Sequence, residues 1–228
     1  SVLLSMLALV LAHAAATPDE VLQARRGSFE PLVGLLQSGS EAAKEQAAWE
    51  LTHLAINPTN KARIAEAGGI APLVELIRSG GAEAKRKAAE ALRNLAESSD
   101  NRRKIVDAGG IAPLVQLVRR GNAAAKELAA WTLMHLADAD QEKVVAAGAI
   151  RPLVELARSG SAGGKEQAAG TLHALAIFHA GNREKIVIAG GVEPLTELAR
   201  RGSDMARDWA TQTLELLRRD QSRTKEEL

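Results

Sequence analysis

An all-α solenoid of three-helix units is the fold this sequence predicts, and three observations predict it. The first is a recurring phrase: AGGIAPLV at Ala67–Val74 and Ala108–Val115, AGAIRPLV at Ala147–Val154, AGGVEPLT at Ala189–Thr196, and a degraded copy, RGSFEPLV, at Arg26–Val33. Its prolines, Pro31, Pro72, Pro113, Pro152 and Pro194, are spaced by 41, 41, 39 and 42 residues. The second is a set of helix-capping residues at fixed phases of that period. The third is an apolar stripe at helical spacing in each unit. Self-similarity near 40 residues marks helical units that cannot bury their own apolar faces and must stack on neighbours.

The first element of each unit is a short helix. Asp19, Asn60, Asn101, Asp140 and Asn182 stand twelve residues before the prolines. They are read as its N-caps, because Asn and Asp accept from the unpaired N–H groups of a helix start. Ile64, Ile105, Val144 and Ile186 supply its buried residue, and the first copy departs with Gln23. A glycine pair such as Gly109–Gly110 then turns the chain, since glycine tolerates left-handed backbone angles.

The second helix opens with the proline in its first turn, where a missing N–H does no harm. Leu114, Val115, Leu117 and Val118 form its buried stripe. Arg78, Arg119, Arg120, Arg158, Arg200 and Arg201 end it. There they complement the helix C-terminal dipole, so they are not read as a phosphate-binding patch. Ser40, Asn122, Ser161 and Ser203 cap the third and longest helix, with Gly81 in the same place in the second unit.

The third helix has two faces. At about 100° per residue, Ala47, Ala48, Leu51, Leu54 and Ala55 gather on one side, and Gln46, Trp49, Glu50 and His53 roughly 150° away. A tryptophan off the core face needs an explanation other than packing, in a chain with only three Trp, two Phe and no Tyr. The same two positions recur as Glu90 and Asn94, Trp131 and His135, Gly170 and Ala174, and Gln212 and Leu216. Each pair is spaced i, i+4 and so adjacent on the helix surface. One turn earlier stand Glu45, Arg86, Glu127, Glu166 and Asp208. They are read either as a row for a Lys- or Arg-bearing partner beside an aromatic wall, or as solvated helix charges. Trp209 is out of phase with the other two tryptophans and is read as a cap on the last unit.

The phrases WELTHLA (Trp49–Ala55), EALRNLA (Glu90–Ala96), WTLMHLA (Trp131–Ala137) and GTLHALA (Gly170–Ala176), each following its glycine–proline phrase, resemble the armadillo repeat; the last copy, QTLELLR, is diverged. The resemblance covers about residues 17–217, as five repeats at about 17–56, 57–98, 99–138, 139–179 and 180–217. It implies a right-handed α-solenoid whose third helices line a concave groove that binds extended peptides. In importin-α-like members of the family, a Trp and an Asn of WxxxN form the site. By position, Trp49 and Trp131 match the Trp and Asn94 matches the Asn, while His53 and His135 stand where Asn is expected. No repeat holds both Trp and Asn. The expected site is therefore Trp49, His53, Glu90, Asn94, Trp131 and His135, and the expected function is a non-enzymatic scaffold for a protein or extended peptide with Lys or Arg. The alternatives are an importin-α-like nuclear transport adaptor, or a structural or substrate-recognition segment of a larger complex such as an armadillo-bearing ubiquitin ligase. The resemblance implies a cytoplasmic or nuclear location.

Other chemistry is not encoded. Net charge is +1 with both signs interspersed, so there is no basic footprint for nucleic acid. With no cysteine there is no thiol catalysis or Cys-ligated zinc, and the histidines form no HExxH. The stretch Gly160–Lys165, GSAGGK, resembles a phosphate loop but is one residue short, with Glu166 in place of Ser or Thr. No cofactor, metal or membrane is expected.

The apolar start, SVLLSMLALVLAHAAA, has no positive residue before its core and is broken by Ser5 and His13. It is expected to be the last helix of a preceding repeat (residues 1–16) rather than a signal or a membrane span. Its outer face would then be covered by further repeats, by end-to-end self-association or by a partner docked end-on. Residues 218–228, RRDQSRTKEEL, read as a frayed helix end or the stub of a linker.

Overall fold

The structure is a computed structural model and describes residues 18–25 and 27–226. The apolar segment 1–16 lies outside the described residues. Among the described residues every regular element is a helix: α1 (Pro18–Arg25), α2 (Glu30–Ser38), α3 (Glu41–Leu54), α4 (Pro58–Glu66), α5 (Ile70–Ser79), α6 (Ala82–Leu95), α7 (Ser99–Asp107), α8 (Ile111–Arg120), α9 (Ala123–Ala146), α10 (Ile150–Ser159), α11 (Ala162–Ala176), α12 (Ala180–Ile188), α13 (Val192–Arg201) and α14 (Asp204–Glu226). The chain divides into two compact units, one ending at Pro113 and one beginning at Leu114.

In the first unit α3 packs on α6, with α2 and α5 each lying against the third helix that follows it. Leu32, Leu51, Ile64, Leu73, Leu92 and Ile105 are fully buried between them. The second unit repeats the plan: α9 packs on α11, α11 on α14, α10 on α11 and α13 on α14, around Leu133, Leu153, Leu172, Ile186 and Leu195. α9 is two helices in one run. Asp140 breaks it with non-helical angles (φ −158°, ψ 85°) and accepts the Lys143 N–H at 2.8 Å, capping the continuation. Lys143 pairs with the same carboxylate and holds it below the ordinary aspartate range.

The glycine corners close by main-chain bonds. The Gly109 N–H donates to the Val106 carbonyl and the Gly110 N–H to the Ile105 carbonyl, both at 2.9 Å. This is the double bond of a Schellman turn, and Gly109 provides the left-handed residue it requires (φ +73°). Gly110 answers a different constraint. A Cβ there would lie 2.7 Å from Ile105 Cγ2 and 2.9 Å from its carbonyl oxygen, so the buried isoleucine and the bare glycine are a matched pair.

The N-cap reading of the Asn row needs correction. Only Asp140 caps. The caps of α4 and α7 are Asn57 and Ser98, and Asn60, Asn101 and Asn182 sit one turn inside their helices. There they donate: Asn60 Nδ2 to the Leu54 carbonyl, Asn101 Nδ2 to the Lys61 carbonyl and Asn182 Nδ2 to the Leu175 carbonyl, each at 3.0 Å. Carbonyls near a helix C-terminus have no intrahelical partner, and a buried one is costly to leave unpaired. Asn60 and Asn182 supply that partner to the preceding third helix, and Asn101 reaches back to the previous short helix. The reading of the third-helix caps agrees with the structure. Ser40, Asn122 and Ser161 accept from Ala43, Ala125 and Gly164. At Gly81 the missing side chain is replaced by Glu41 of α3, whose Oε1 accepts the Gly81 N–H at 2.6 Å.

Asn101 is 1% exposed, and Asn101→Ala removes its buried bond to the Lys61 carbonyl. The expected loss of unfolding free energy in a urea titration is about 0.5–1.5 kcal/mol. A loss within experimental error would show that this link carries no weight.

Candidate functional site

In the first unit the candidate residues lie on α3 and α6. Trp49 is 41% exposed and His53 is exposed, although both stand on a helix whose opposite face is sealed. Their ring centroids are 4.3 Å apart at 51°. His53 Nδ1 lies 2.8 Å from the Trp49 carbonyl. A carbonyl can only accept, so Nδ1 donates, which in the neutral tautomer leaves Nε2 as the acceptor. Glu90, half-exposed, accepts from Arg86 Nη1 at 3.0 Å. Arg86 also grips Glu83, which raises the arginine and holds the glutamate below its ordinary range.

Asn94 is placed differently from the tryptophan. It is 8% exposed; its Nδ2 donates to the Thr52 carbonyl of α3 at 2.9 Å and its Oδ1 accepts from Arg93. It ties α6 to α3. Glu50, grouped by helical arithmetic with Trp49, is also buried, at 7% exposure. In the second unit its counterparts lie against the preceding third helix: Thr171 donates to the Ala130 carbonyl at 2.8 Å, and Thr213 meets His173 at 3.3 Å. A wheel drawn for one helix does not register such a neighbour.

In the second unit Trp131 and His135 are half-buried on α9, with ring centroids 3.8 Å apart at 41°. At the matching place on α11 stands Gly170. A Cβ there would lie 2.8 Å from Met134 Sδ and 2.9 Å from the Trp209 ring. The space a side chain would take is filled by Met134 of α9 and Trp209 of α14. Trp209 therefore packs over the side-chain position that α11 leaves empty at Gly170. The sequence signal was a glycine in a tryptophan position with a displaced tryptophan one repeat later.

The acidic row is largely engaged within each unit. Glu45 pairs with Lys87 at 2.8 Å, and Glu166 accepts from Ser203. The Glu127 carboxylate lies over Gly163 in the first turn of α11. The last two sit where the next third helix begins, at the positive end of its dipole. The Gly160 region is a helix junction. The Gly160 N–H bonds to the Leu156 carbonyl and Ser161 caps α11, so no phosphate cradle is formed. Among the described residues no group of His, Asp and Glu can hold a metal ion, and no helix is long and apolar enough to cross a membrane.

The sequence matches the model of the Armadillo/beta-catenin-like repeat over residues 57–97, 98–138 and 139–177, more than half of the chain. The chain belongs to that family. Several solved structures resemble the armadillo fold seen here. One engineered protein is 30% identical, with 92% of this chain and 87% of its own length aligned at a TM-score of 0.79. A designed armadillo repeat protein in complex with the peptide (KR)4 is 26% identical, with 94% and 92% aligned at 0.76. A computationally designed armadillo repeat protein for modular peptide recognition is 25% identical, with 94% and 92% aligned at 0.78. No curated protein sequence matches the chain.

One titration follows from the packing of the second unit. Burial holds His173 below its ordinary value of 6.5. As pH falls through that value the unfolded chain takes up the proton first, so stability drops with falling pH. Melting temperature is expected to fall between about pH 7 and 5, and His173→Gln to flatten that slope. Equal slopes in the two proteins would contradict the assignment.

Proposed function

We propose that this armadillo array is a non-enzymatic scaffold that holds extended polypeptide on its third-helix faces, through Trp49 and His53 in one unit and Trp131 and His135 in the other. The observation that carries the proposal is the repeated Trp–His pair, its rings in close tilted contact, on a face turned away from the core. An indole face is a wall for an aliphatic or cationic stem. The Nε2 of His53 is an acceptor for a main-chain N–H or a cationic head.

The partner is proposed to carry Lys or Arg. Support comes from the designed relative in complex with (KR)4 and from Glu90, a half-exposed carboxylate on the face. Glu90 is itself held by Arg86 and other carboxylates are engaged within the array, so the charge attraction is modest and stem packing on the indoles is expected to dominate. Asn94 is proposed as a positioning residue, because its amide already serves Thr52. The main-chain-binding role then falls to His53 and His135, which departs from an importin-α-like site. The division of residues 17–217 into five repeats belongs to the same proposal.

Binding of fluorescein-labelled (KR)4, followed by anisotropy, tests this. Trp49→Ala and Trp131→Ala are each expected to weaken binding by roughly tenfold, the loss of about 1.4 kcal/mol typical of an aromatic anchor. Because Trp49 is exposed, its variant should melt within about 2 °C of the parent. Unchanged affinity in both variants would remove the tryptophans from the site. Equal affinity for a Gly/Ser peptide of the same length would remove the Lys/Arg preference.

A further inference from the structure

The repeats serve as controls for one another, and one junction breaks their pattern. Each second helix from α5 onward ends in an arginine with a carboxylate one turn earlier, except α8. Arg78 pairs with Glu75 at 2.6 Å and Arg158 with Glu155 at 3.0 Å, but Arg119 has Gln116 in that place. The residue just before the proline of the following repeat matters as well. Arg158 reaches Glu193 there at 3.5 Å. The corresponding pair one repeat earlier is Arg119 with Arg151. An ion pair at one junction is thus replaced by two like charges at the other, and among the described residues no carboxylate pairs with either arginine.

Both arginines line two neighbouring clefts, about 400 and 530 Å³ in volume, that share Arg119, Arg151 and Glu155. Lys126 borders the first and Lys185 the second. Glu155 is already held by Arg158, so the excess charge is positive. The walls are apolar on either side: Val118 and Leu156 in one cleft, Ile150 and Ile188 in the other. Ile188 is 76% exposed, an isoleucine left without a packing role. Like charges lining one cleft cost stability unless an anion joins them, and a guanidinium matches a carboxylate bidentately.

We propose that these clefts bind an extended polypeptide segment carrying a carboxylate flanked by apolar side chains, with the carboxylate seated between Arg119 and Arg151. The apolar walls on both sides favour such a segment over a free anion or a nucleic acid backbone. The surface is separate from the Trp–His face, so one array takes a basic segment on its third helices and an acidic one here.

The test uses a fluorescein-labelled hexapeptide of alternating Glu and Leu, measured by anisotropy on the full chain. Arg151→Glu recreates the arrangement of Arg158 and Glu193. It is expected to melt at or above the parent temperature while losing at least tenfold in affinity for this peptide and keeping its affinity for (KR)4. Arg119→Gln gives a second variant with the same expected loss. The double variant Trp49→Ala, Trp131→Ala is expected to keep the Glu/Leu peptide, which separates this proposal from the preceding one. No binding by the parent protein, or unchanged binding in both arginine variants, overturns it. Displacement by inorganic phosphate at equal concentration, or tighter binding of a single-stranded oligonucleotide with the same sensitivity to Arg151→Glu, overturns the choice of a carboxylate-bearing segment.

Discussion

Close approach of successive third helices is the constraint on which the rest of each unit depends. The seam is made of alanine. Ala47 and Ala48 of α3 and Ala88 and Ala89 of α6 are fully buried in the first unit, as are Ala129 and Ala130 of α9 and Ala168 and Ala169 of α11 in the second. Side chains this small let backbones come near enough for one helix to hydrogen-bond to the next. Asn94 then reaches the Thr52 carbonyl and Thr171 the Ala130 carbonyl. Larger residues on the seam would force the helices apart, as overpacking of a filled interior does, and those bonds would be lost with the contact. Register between neighbours is therefore fixed twice, by volume and by directed polar links.

That register determines what is left over. α3 packs on α6 along one flank and on α2 along another, and Trp49 with His53 stands on a face that is left exposed. The second unit shows how tightly the face is controlled. Where α11 lacks a side chain at Gly170, Met134 and Trp209 from the adjoining helices occupy the space. A tryptophan seen alone in the sequence gives no sign of this, because the compensation joins residues at different phases of adjacent repeats.

The parts legible in the sequence were those dictated by local backbone physics. A left-handed turn needs Gly109, and a buried Ile105 needs bare Gly110 beside it; both conditions act within a few residues. Prolines in the first turn and Ser or Asn caps on the third helices are equally local. The Asn row was misread because a polar residue near a helix start has two uses, accepting as a cap or donating to a neighbouring carbonyl. Which one applies depends on whether the helix begins at that residue or a turn earlier, as at Pro58 and Ser99. Asn94 was misplaced for a related reason: a helical wheel drawn for α6 alone omits α3, whose Thr52 carbonyl the Asn94 amide reaches. The unbalanced Arg119 and Arg151 were visible as letters, but their meaning came only when Arg158 was seen to reach Glu193.

The central claim is that the open third-helix face, not the core, is what Trp49 and Trp131 serve. With three tryptophans in the chain, the indole N–H resonances of the ¹⁵N-labelled protein provide a direct readout. Titration with a Lys/Arg-rich peptide is predicted to shift the Trp49 and Trp131 indole signals, while Trp209, packed over Gly170, stays near its starting position. Saturable binding that leaves both the Trp49 and Trp131 signals unmoved would contradict the account.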